Sequence, residues 1–357
     1  MPLIASGRPT LEEVRAQMGI ASTGEVRGQL DTVGYASTPQ AMAAVWELSA
    51  RGPMLESLGA APQPGVLGVI GPHDDYVYAA RVYRKVFPLV TAKTVVVVGV
   101  FHKYRRFEAR DQLVFDPYRA WRSPDGEIPV SALRDELVAA LPDGMAVKDA
   151  AAHDAEHSIE GIAYFLKHAR PDVEIVPVIV PAASFGRLQE MASSLGGALA
   201  ASMKRRGWQL GRDVAIVVST DGVHYGEDFK HTPYGAGGID AFMKALAFDR
   251  GLVLDTLSGP MDVGKPGLFY STVVDVAHPD TYRVPWCGRF SVPLGSLLIS
   301  EVARRLGMSA PRGVALALGA SIESPQLEMR DAGLGPTAPA SLHHFVTHPA
   351  VAYVAGD

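Results

Sequence analysis

Only one cysteine, Cys287, occurs in the 357 residues, so no disulfide can form within the chain. Disulfides are rare in reducing compartments, and we therefore expect a cytoplasmic location. Residues 1–7 lack the basic and apolar segments of a secretory signal. No apolar stretch reaches the roughly 18 residues that a membrane helix needs. These absences predict a soluble protein without a membrane partner.

Positive charge is also scarce, since 33 lysines and arginines face 38 acidic residues and the net charge is -5. The one local basic cluster, residues 103–106, is typical of a solvated loop. Nucleic acids are bound through their phosphates by basic surfaces, so nucleic acid is excluded as the main partner. With 48% hydrophobic and 20% charged residues, the composition is that of a folded globular protein.

Among the features that are present, the stretch of residues 94–102 is the most informative, because four consecutive valines lead through Gly99 to His102. An apolar run without polar alternation predicts a strand buried on both faces of a parallel sheet. Two further apolar runs also lead into histidine-bearing loops, with His73 after the first and His224 after the second. Ligands of open α/β sheets bind at the carboxyl ends of strands, so these histidines are predicted to meet.

The alternation of strands and helices predicts an α/β fold, a single domain with a central, mostly parallel or mixed sheet flanked by helices. The predicted strands are residues 67–70, 94–100, 174–180, 214–218, 314–320 and 351–355. The predicted helices include residues 79–89, 130–141, 158–168, 187–206, 239–246, 251–257 and 293–306. Residues 1–26, with a capping box at Thr10 and Glu13, are predicted to be an N-terminal appendage to a domain of residues 27–357.

Histidines, carboxylates and the single thiol together suit a transition metal such as iron, copper or zinc. Structural alternatives exist for each residue, because a histidine at a strand end can serve as a hydrogen-bonding group and a lone cysteine as a small buried hydrophobe. Two histidines and one anionic ligand would leave open coordination positions, as in non-haem Fe(II) oxygenases and hydrolytic zinc sites. Other histidines would then be free for acid or base roles.

Five motifs, in this order, resemble those of the Memo family, which is structurally related to the class III extradiol ring-cleavage dioxygenases, the LigB-like enzymes. The motifs are Pro72-His73 with Tyr76, Gly99 with His102, the string of residues 156–160, Ser219 with Asp221 and His224-Tyr225-Gly226, and Cys287-Gly288-Arg289. The resemblance runs from about residue 27 to residue 355. It implies the fold of that family.

The resemblance further implies that His73, His102 and Cys287 are metal ligands and that His224 is the acid or base beside the metal. Asp221, His157 and Glu160 would line the same pocket. The metal would be Fe2+, with copper or zinc as alternatives, since thiolate favours softer ions. The chain departs from the family where Asp74-Asp75 replaces the common Ala-Gly and where Lys103 follows His102.

Asp74 and Asp75 could therefore contribute a ligand in place of Cys287, or line a substrate pocket together with Tyr76 and Tyr225. The resemblance leads us to expect a metal-dependent oxidoreductase of the extradiol dioxygenase type. Its partners would be O2 and a small, diol-like aromatic substrate, and a homo-oligomer is left open. The alternatives are a Memo-type metal-binding protein with a binding or redox role and no ring cleavage, and a zinc hydrolase with the same ligands.

Overall fold

Helices and strands alternate along the computed structural model, which describes residues 7–51, 57–323 and 325–356. The α-helices of these residues are α1 (Leu11–Met18), α2 (Pro39–Ser49), α3 (Tyr76–Val86), α4 (Leu133–Ala140), α5 (Ala150–Asp154), α6 (Glu160–Ala169), α7 (Phe185–Arg206), α8 (Ile239–Leu257), α9 (Gly264–Val273) and α10 (Ser291–Arg305). The strands are β1 (Val26–Arg27), β2 (Gly68–Gly71), β3 (Thr94–Val100), β4 (Leu113–Phe115), β5 (Ala120–Trp121), β6 (Ile128–Pro129), β7 (Ala146–Lys148), β8 (Glu174–Val180), β9 (Val214–Ser219), β10 (His224–Tyr225), β11 (Gly259–Pro260), β12 (Arg312–Ala320) and β13 (Phe345–Val354).

The larger of the two sheets has the strand order β11-β12-β13-β2-β9-β3-β8-β4-β7, and β10 pairs with β13 beside this path. Its centre is parallel, because β2 pairs with β9, β9 with β3, and β3 with β8 in the same direction. On one side of this centre β13 pairs antiparallel with β2 and β12 antiparallel with β13, and on the other side β4 pairs antiparallel with β8. The predicted α/β fold with a mixed central sheet flanked by helices is therefore confirmed.

Strand β3 lies inside the parallel part of the sheet, and all seven of its residues are buried. Val96 is opposite Val176 on β8 and Ile216 on β9, so apolar strands flank it on both sides. Helix α10 packs against β3 and β9, and helix α3 packs against β2, β12 and β13. Burial from all directions explains the lack of polar alternation in this strand.

Several predicted boundaries differ from those of the structure. The predicted helices of residues 239–246 and 251–257 are one helix, α8, which continues through Gly251. A glycine inside a helix costs about 1 kcal/mol, and the burial of Val253 and Leu257 beyond it offsets that cost. Strand β13 begins at Phe345, earlier than predicted, because its first residues Phe345 and Val346 pair with β10. That contact between distant segments cannot be read from the local sequence.

Helix α1 has the predicted capping box, since Thr10 accepts a hydrogen bond from the Glu13 N–H and the Glu13 carboxylate accepts one from the Thr10 N–H. Arg15 and Ser22 each donate a hydrogen bond of 2.9 Å to the carboxylate of Asp154, which connects α1 and the segment after it to the end of α5. The division of the chain at residue 27 stays a prediction. Of the helices in the described ranges, none combines the length and apolarity needed to cross a membrane.

A buried ion pair joins the start of the chain to α6. Arg27 of β1 donates to Glu160, and the same carboxylate accepts hydrogen bonds from the backbone N–H groups of Leu30 at 2.7 Å and Asp31 at 3.0 Å. Neither charged side chain is exposed to solvent. Both oxygens of Glu160 are therefore engaged in holding the segment that follows β1.

Replacing Glu160 with glutamine is expected to lower the free energy of unfolding by about 3 kcal/mol, because Arg27 would keep a buried charge without its partner. Urea denaturation measures the change. The matched control is Glu301→Gln, which removes a partly buried carboxylate that pairs with the exposed Arg304 and Arg305 and should cost less than about 1 kcal/mol. Equal stability of the Glu160 variant and the parent protein would contradict the anchoring role.

Candidate metal centre

The predicted site residues come from neighbouring parallel strands. His73 follows β2, Asp221 follows β9 and His102 follows β3, so the three carboxyl ends lie next to one another in the sheet. Cys287 comes from the loop before α10, where Trp286 forms a bridge with Val223. The topology thus brings chain segments far apart in sequence to one edge of the sheet.

Two overlapping groups of candidate ligands occur in the described residues. One contains His73, His102 and His157, the other His73, Asp221 and Cys287, and within each group the donor atoms all lie within 4.8 Å of one another. His73 Nε2 is 3.3 Å from Asp221 Oδ2 and 3.5 Å from Cys287 Sγ. The predicted trio of His73, His102 and Cys287 is thus not itself one of these groups. His73 belongs to both groups, His102 to the first and Cys287 to the second.

The hydrogen bonds of His73 define which of its ring nitrogens is free. Nδ1 lies 2.6 Å from the hydroxyl of Ser219, whose single proton is donated to the carbonyl oxygen of Ser158. The Ser219 oxygen must therefore accept from His73 Nδ1–H, which leaves a lone pair on Nε2. Burial lowers the pKa of His73 well below its usual range and keeps the imidazole neutral, the form that binds metals.

His102 is oriented by Glu156 in a similar way. The Glu156 carboxylate accepts hydrogen bonds from the backbone N–H of His102 at 2.7 Å and from its ring Nδ1 at 2.9 Å. An ionised carboxylate only accepts, so Nδ1 carries the proton and Nε2 is free. Burial disfavours the imidazolium, but the carboxylate overcomes this effect and raises the pKa of His102.

Glu156 is a functional residue that the sequence analysis did not select. Its carboxylate also accepts the backbone N–H groups of His157 and Ser158, each at 2.9 Å. Burial opposes its ionisation, but His102 and these N–H donors hold the pKa of Glu156 well below its usual range. Its signal in the sequence was its place beside His157 in the motif of residues 156–160. Its contact with the loop after β3 is a tertiary property, which the sequence does not record.

His157 lies over His102, with ring centroids 4.9 Å apart and an interplanar angle of 9°. Its ring also meets the edge of His73 at 5.6 Å. Burial lowers the pKa of His157 to about 4, so the ring is neutral at neutral pH. It is thus available as a third nitrogen donor or as a base.

Cys287 and Asp221 form the buried side of the cluster. The thiol sulfur accepts a hydrogen bond from the Asp221 N–H at 3.0 Å, and burial, with Asp221 nearby, raises the pKa of the thiol well above its usual range. Burial and the charge of Asp74 raise the pKa of Asp221 to about 7. Binding of a cation would reverse both effects, because metals favour thiolate and carboxylate forms.

His224, the predicted acid or base, lies outside both donor groups but close enough to influence the pKa of His73. Its Nδ1 is 3.0 Å from the carbonyl oxygen of Gly222 and 3.1 Å from that of Pro285. Both partners only accept, so Nδ1 is protonated and Nε2 is free. Burial lowers the pKa of His224 to about 4.

Three predicted site residues are engaged elsewhere. Glu160 holds Arg27, as described above. The hydroxyl of Tyr76 donates to the Gly161 carbonyl at 2.6 Å, and that of Tyr225 donates to the Gly235 carbonyl at 2.7 Å. Glu160 belongs to neither donor group of the described residues, and the pocket roles of these three side chains stay predictions.

Asp74 and Asp75 lie next to His73 in the chain but belong to neither donor group of the described residues. Asp74 pairs with the buried His348 of β13, with 2.7 Å between Asp74 Oδ2 and His348 Nε2. Asp75 accepts hydrogen bonds from the backbone N–H and hydroxyl of Thr337. Burial and the charge of Asp74 raise the pKa of Asp75 to about 7. Both carboxylates thus have protein partners.

Fold and cluster together define a mixed α/β protein with a candidate metal centre at the carboxyl edge of its sheet. A family model described as Memo-like protein matches residues 34–259, more than half of the chain. The chain belongs to the Memo family. His73, His102, Asp221 and His224 lie within the matched residues, whereas Cys287 lies beyond them.

Curated proteins of the same family are similar to this chain. A MEMO1 family protein of Thermococcus onnurineus is 32% identical over 177 residues, which cover 47% of this chain and 56% of that protein. One from Archaeoglobus fulgidus is 30% identical over 184 residues, covering 51% and 64%. One from Aquifex aeolicus is 30% identical over 165 residues, covering 45% and 40%. The chain spans about half the length of the curated relatives it matches.

Replacing Glu156 with glutamine is expected to lower the pKa of His102, because a neutral amide no longer favours the imidazolium. In the parent protein the folded-state pKa is raised, so the pair contributes stability at low pH that is lost as the pH rises through this pKa. NMR titration of the His102 ring in metal-free protein measures the change. Glu301→Gln is the control, and an unaltered His102 titration in the Glu156 variant would refute the role of this carboxylate.

Proposed function

We propose that this chain binds a single metal ion, Fe2+ in the first place, through His73, His102 and Cys287. One observation carries the proposal: His73 Nε2, which bears a lone pair, lies 3.3 Å from Asp221 Oδ2 and 3.5 Å from Cys287 Sγ. Acceptor atoms that converge in a buried place repel one another unless a proton or a cation lies between them. In the metal-free protein the protons of the Cys287 thiol and the Asp221 carboxyl, whose pKa values are raised, separate these atoms, and a metal ion would replace those protons.

The surroundings of the two histidines support the same proposal. Metal-ligating histidines usually donate their second ring N–H to a carboxylate or another oxygen acceptor, which orients the ring. Glu156 has this role for His102 and Ser219 for His73. An imidazole pair with a thiol suits iron, copper or zinc.

We further propose an oxidoreductase of the class III extradiol dioxygenase type that acts on a small, diol-like aromatic substrate. The bound metal would supply the Lewis-acid and redox chemistry that brings O2 and the diol to reaction. His102 and His157, with side chains 32% and 40% exposed, form the open side through which a small molecule would enter. His73 and Cys287 are buried, which excludes water from the other side.

His224 is the proposed base for this substrate. It is neutral at neutral pH and carries a free lone pair on Nε2, so it can accept a hydroxyl proton there. The carbonyl oxygens of Gly222 and Pro285 would then stabilise the imidazolium through its Nδ1–H. The negative charge of Asp74 favours the same protonated state.

A second candidate function is metal binding with a redox or binding role and no ring cleavage. The specific observation in its favour is Cys287, a buried thiol in contact with His73, because thiolate ligands favour soft ions such as copper. Zinc, with hydrolytic chemistry, would use the same ligands. A reducing cytoplasm would keep this thiol in the form that either proposal requires.

Replacing His73 or His102 with alanine is expected to reduce Fe2+ affinity by about 100-fold or more, since each substitution removes a proposed ligand. Metal analysis after anaerobic loading measures the loss, and circular dichroism checks the fold. His278→Ala is the matched control, because this histidine side chain is 75% exposed and pairs with the surface residue Asp275. Unchanged iron content in both variants would refute the ligand assignment.

Ring cleavage is tested with the iron-loaded protein and a panel of catechols, using an oxygen electrode and the absorbance of the ring-opened product. We expect O2 uptake with at least one member of the panel. Replacement of His224 with alanine should lower the rate about 10²-fold to 10⁴-fold without loss of iron, because it removes the base. Bound iron without O2 uptake would refute ring cleavage, and copper binding that requires Cys287 would then favour the second function.

A further inference from the structure

Asp249, in the middle of α8, is a fully buried carboxylate that lies outside both donor groups of the described residues. Its Oδ1 accepts a hydrogen bond from the indole N–H of Trp286 at 2.9 Å, and its Oδ2 accepts one from the backbone N–H of Val223 at 2.8 Å. The hydroxyl of Thr347 donates to the same Oδ2. Three segments that are distant in sequence therefore meet at this one side chain.

Each of these three donors is directly followed in the chain by a residue at or beside the candidate centre. The pairs are Val223 with His224, Trp286 with Cys287, and Thr347 with His348. Val223 and Trp286 also form an antiparallel bridge, so the loop of His224 and the loop of Cys287 are joined to each other as well as to Asp249. The position of this carboxylate therefore bears on the two residues proposed as base and as metal ligand.

The loop that carries His224 approaches the Asp249 carboxylate so closely that no side chain fits at Gly222. A Cβ at this position would lie 2.7 Å from Asp249 Oδ2 and would overlap the hydroxyl oxygen of Thr347. The Gly222 N–H donates to the Thr347 carbonyl oxygen at 2.7 Å, which holds the loop against β13. The glycine between Asp221 and Val223 is thus explained by the close approach to Asp249 and Thr347.

The three donors also stabilise the charge of the carboxylate. Burial raises the pKa of Asp249 to about 6, while the hydrogen bonds from Thr347, Val223 and Trp286 favour its ionised form. An ionised carboxylate only accepts hydrogen bonds, and at a buried place the loss of one donor costs free energy. Each of the three segments is therefore held in its position by the same group.

We propose that Asp249 is a positioning residue that holds His224 and Cys287 in place at the candidate centre. It acts through the backbone N–H of Val223 and the indole N–H of Trp286. Its role for these two residues corresponds to the role of Glu156 for His102. The consequence for metal binding rests on the proposed function, whereas the placement of Cys287 is a property of the metal-free protein.

Alkylation of Cys287 by iodoacetamide in the metal-free full chain tests the placement directly. The chain has one cysteine, so the reaction reports on this residue alone. The residue is 8% exposed, and its thiol reacts when the loop opens locally. Asp249→Asn puts an amide NH2 group where a carboxylate oxygen accepts, so we expect the alkylation rate to rise about threefold to tenfold. An unchanged rate in this variant would overturn the proposal.

Asp116→Asn is the matched control for the loss of a buried carboxylate. Asp116 is also fully buried, accepts the indole N–H of Trp121 at 2.8 Å, and has its pKa raised by burial to about 6. It follows β4, near one end of the strand order, whereas α8 contacts β12 and β13 near the other end. We expect this variant to keep the alkylation rate of the parent protein. An equal rise in both variants would reflect general destabilisation and would overturn the proposal.

Trp286→Phe tests the same contact from the other side, and it decides the matter if Asp249→Asn does not fold. It removes one donor and leaves Asp249 with those of Val223 and Thr347. We expect faster alkylation of Cys287, again by about threefold to tenfold, and a combined effect in the double variant below the product of the two single effects, because both changes break one hydrogen bond. The parent rate in the Trp286 variant would overturn the proposal.

Loading with Co2+ separates this inference from the proposed function, because a thiolate ligand gives Co2+ a charge-transfer absorption in the near ultraviolet. We expect this band in the parent protein and in Asp116→Asn, and its loss in Cys287→Ser. In Asp249→Asn the band should weaken and the Co2+ affinity fall about tenfold to 100-fold. A parent-like band and affinity in that variant would overturn the positioning role. Absence of Co2+ binding by the parent protein, together with faster alkylation of the Asp249 variant, would refute the proposed metal centre alone.

Discussion

The buried carboxylate of Glu156 is the interaction on which the geometry of the candidate centre depends. It accepts hydrogen bonds from the loop after β3, through the backbone and ring of His102, and from the loop before α6, through the N–H groups of His157 and Ser158. A buried carboxylate without these donors would be neutral or strongly destabilising. Satisfying this one group therefore sets the positions of two histidines at once.

Ser158 links this network to the next strand. Its backbone carbonyl accepts a hydrogen bond from the Ser219 hydroxyl, and the Ser219 oxygen accepts one from His73 Nδ1–H. The tautomer of His73 therefore depends on the same loop as the tautomer of His102. The free nitrogens of both histidines are therefore consequences of backbone placement around one short segment. Sheet order makes this possible, since β2, β9 and β3 end side by side.

Charge is distributed unevenly around the centre. Carboxylates lie on the buried side, where Asp74 is paired with His348 and raises the pKa of Asp221. A metal cation would therefore meet surroundings of opposite charge at the donor groups, which is the electrostatic basis of the proposed metal site.

Local sequence determined the central sheet and two of the candidate ligands. An unbroken run of β-branched residues favours a strand buried on both faces, and His102 and His73 follow the buried strands β3 and β2, so their common edge could be predicted. Tertiary structure alone decided the partners of the charged groups. Glu160 binds Arg27 rather than joining the candidate donor groups, and Asp74 binds a histidine 274 residues away, because hydrogen bonds between distant side chains depend on packing that no local pattern records.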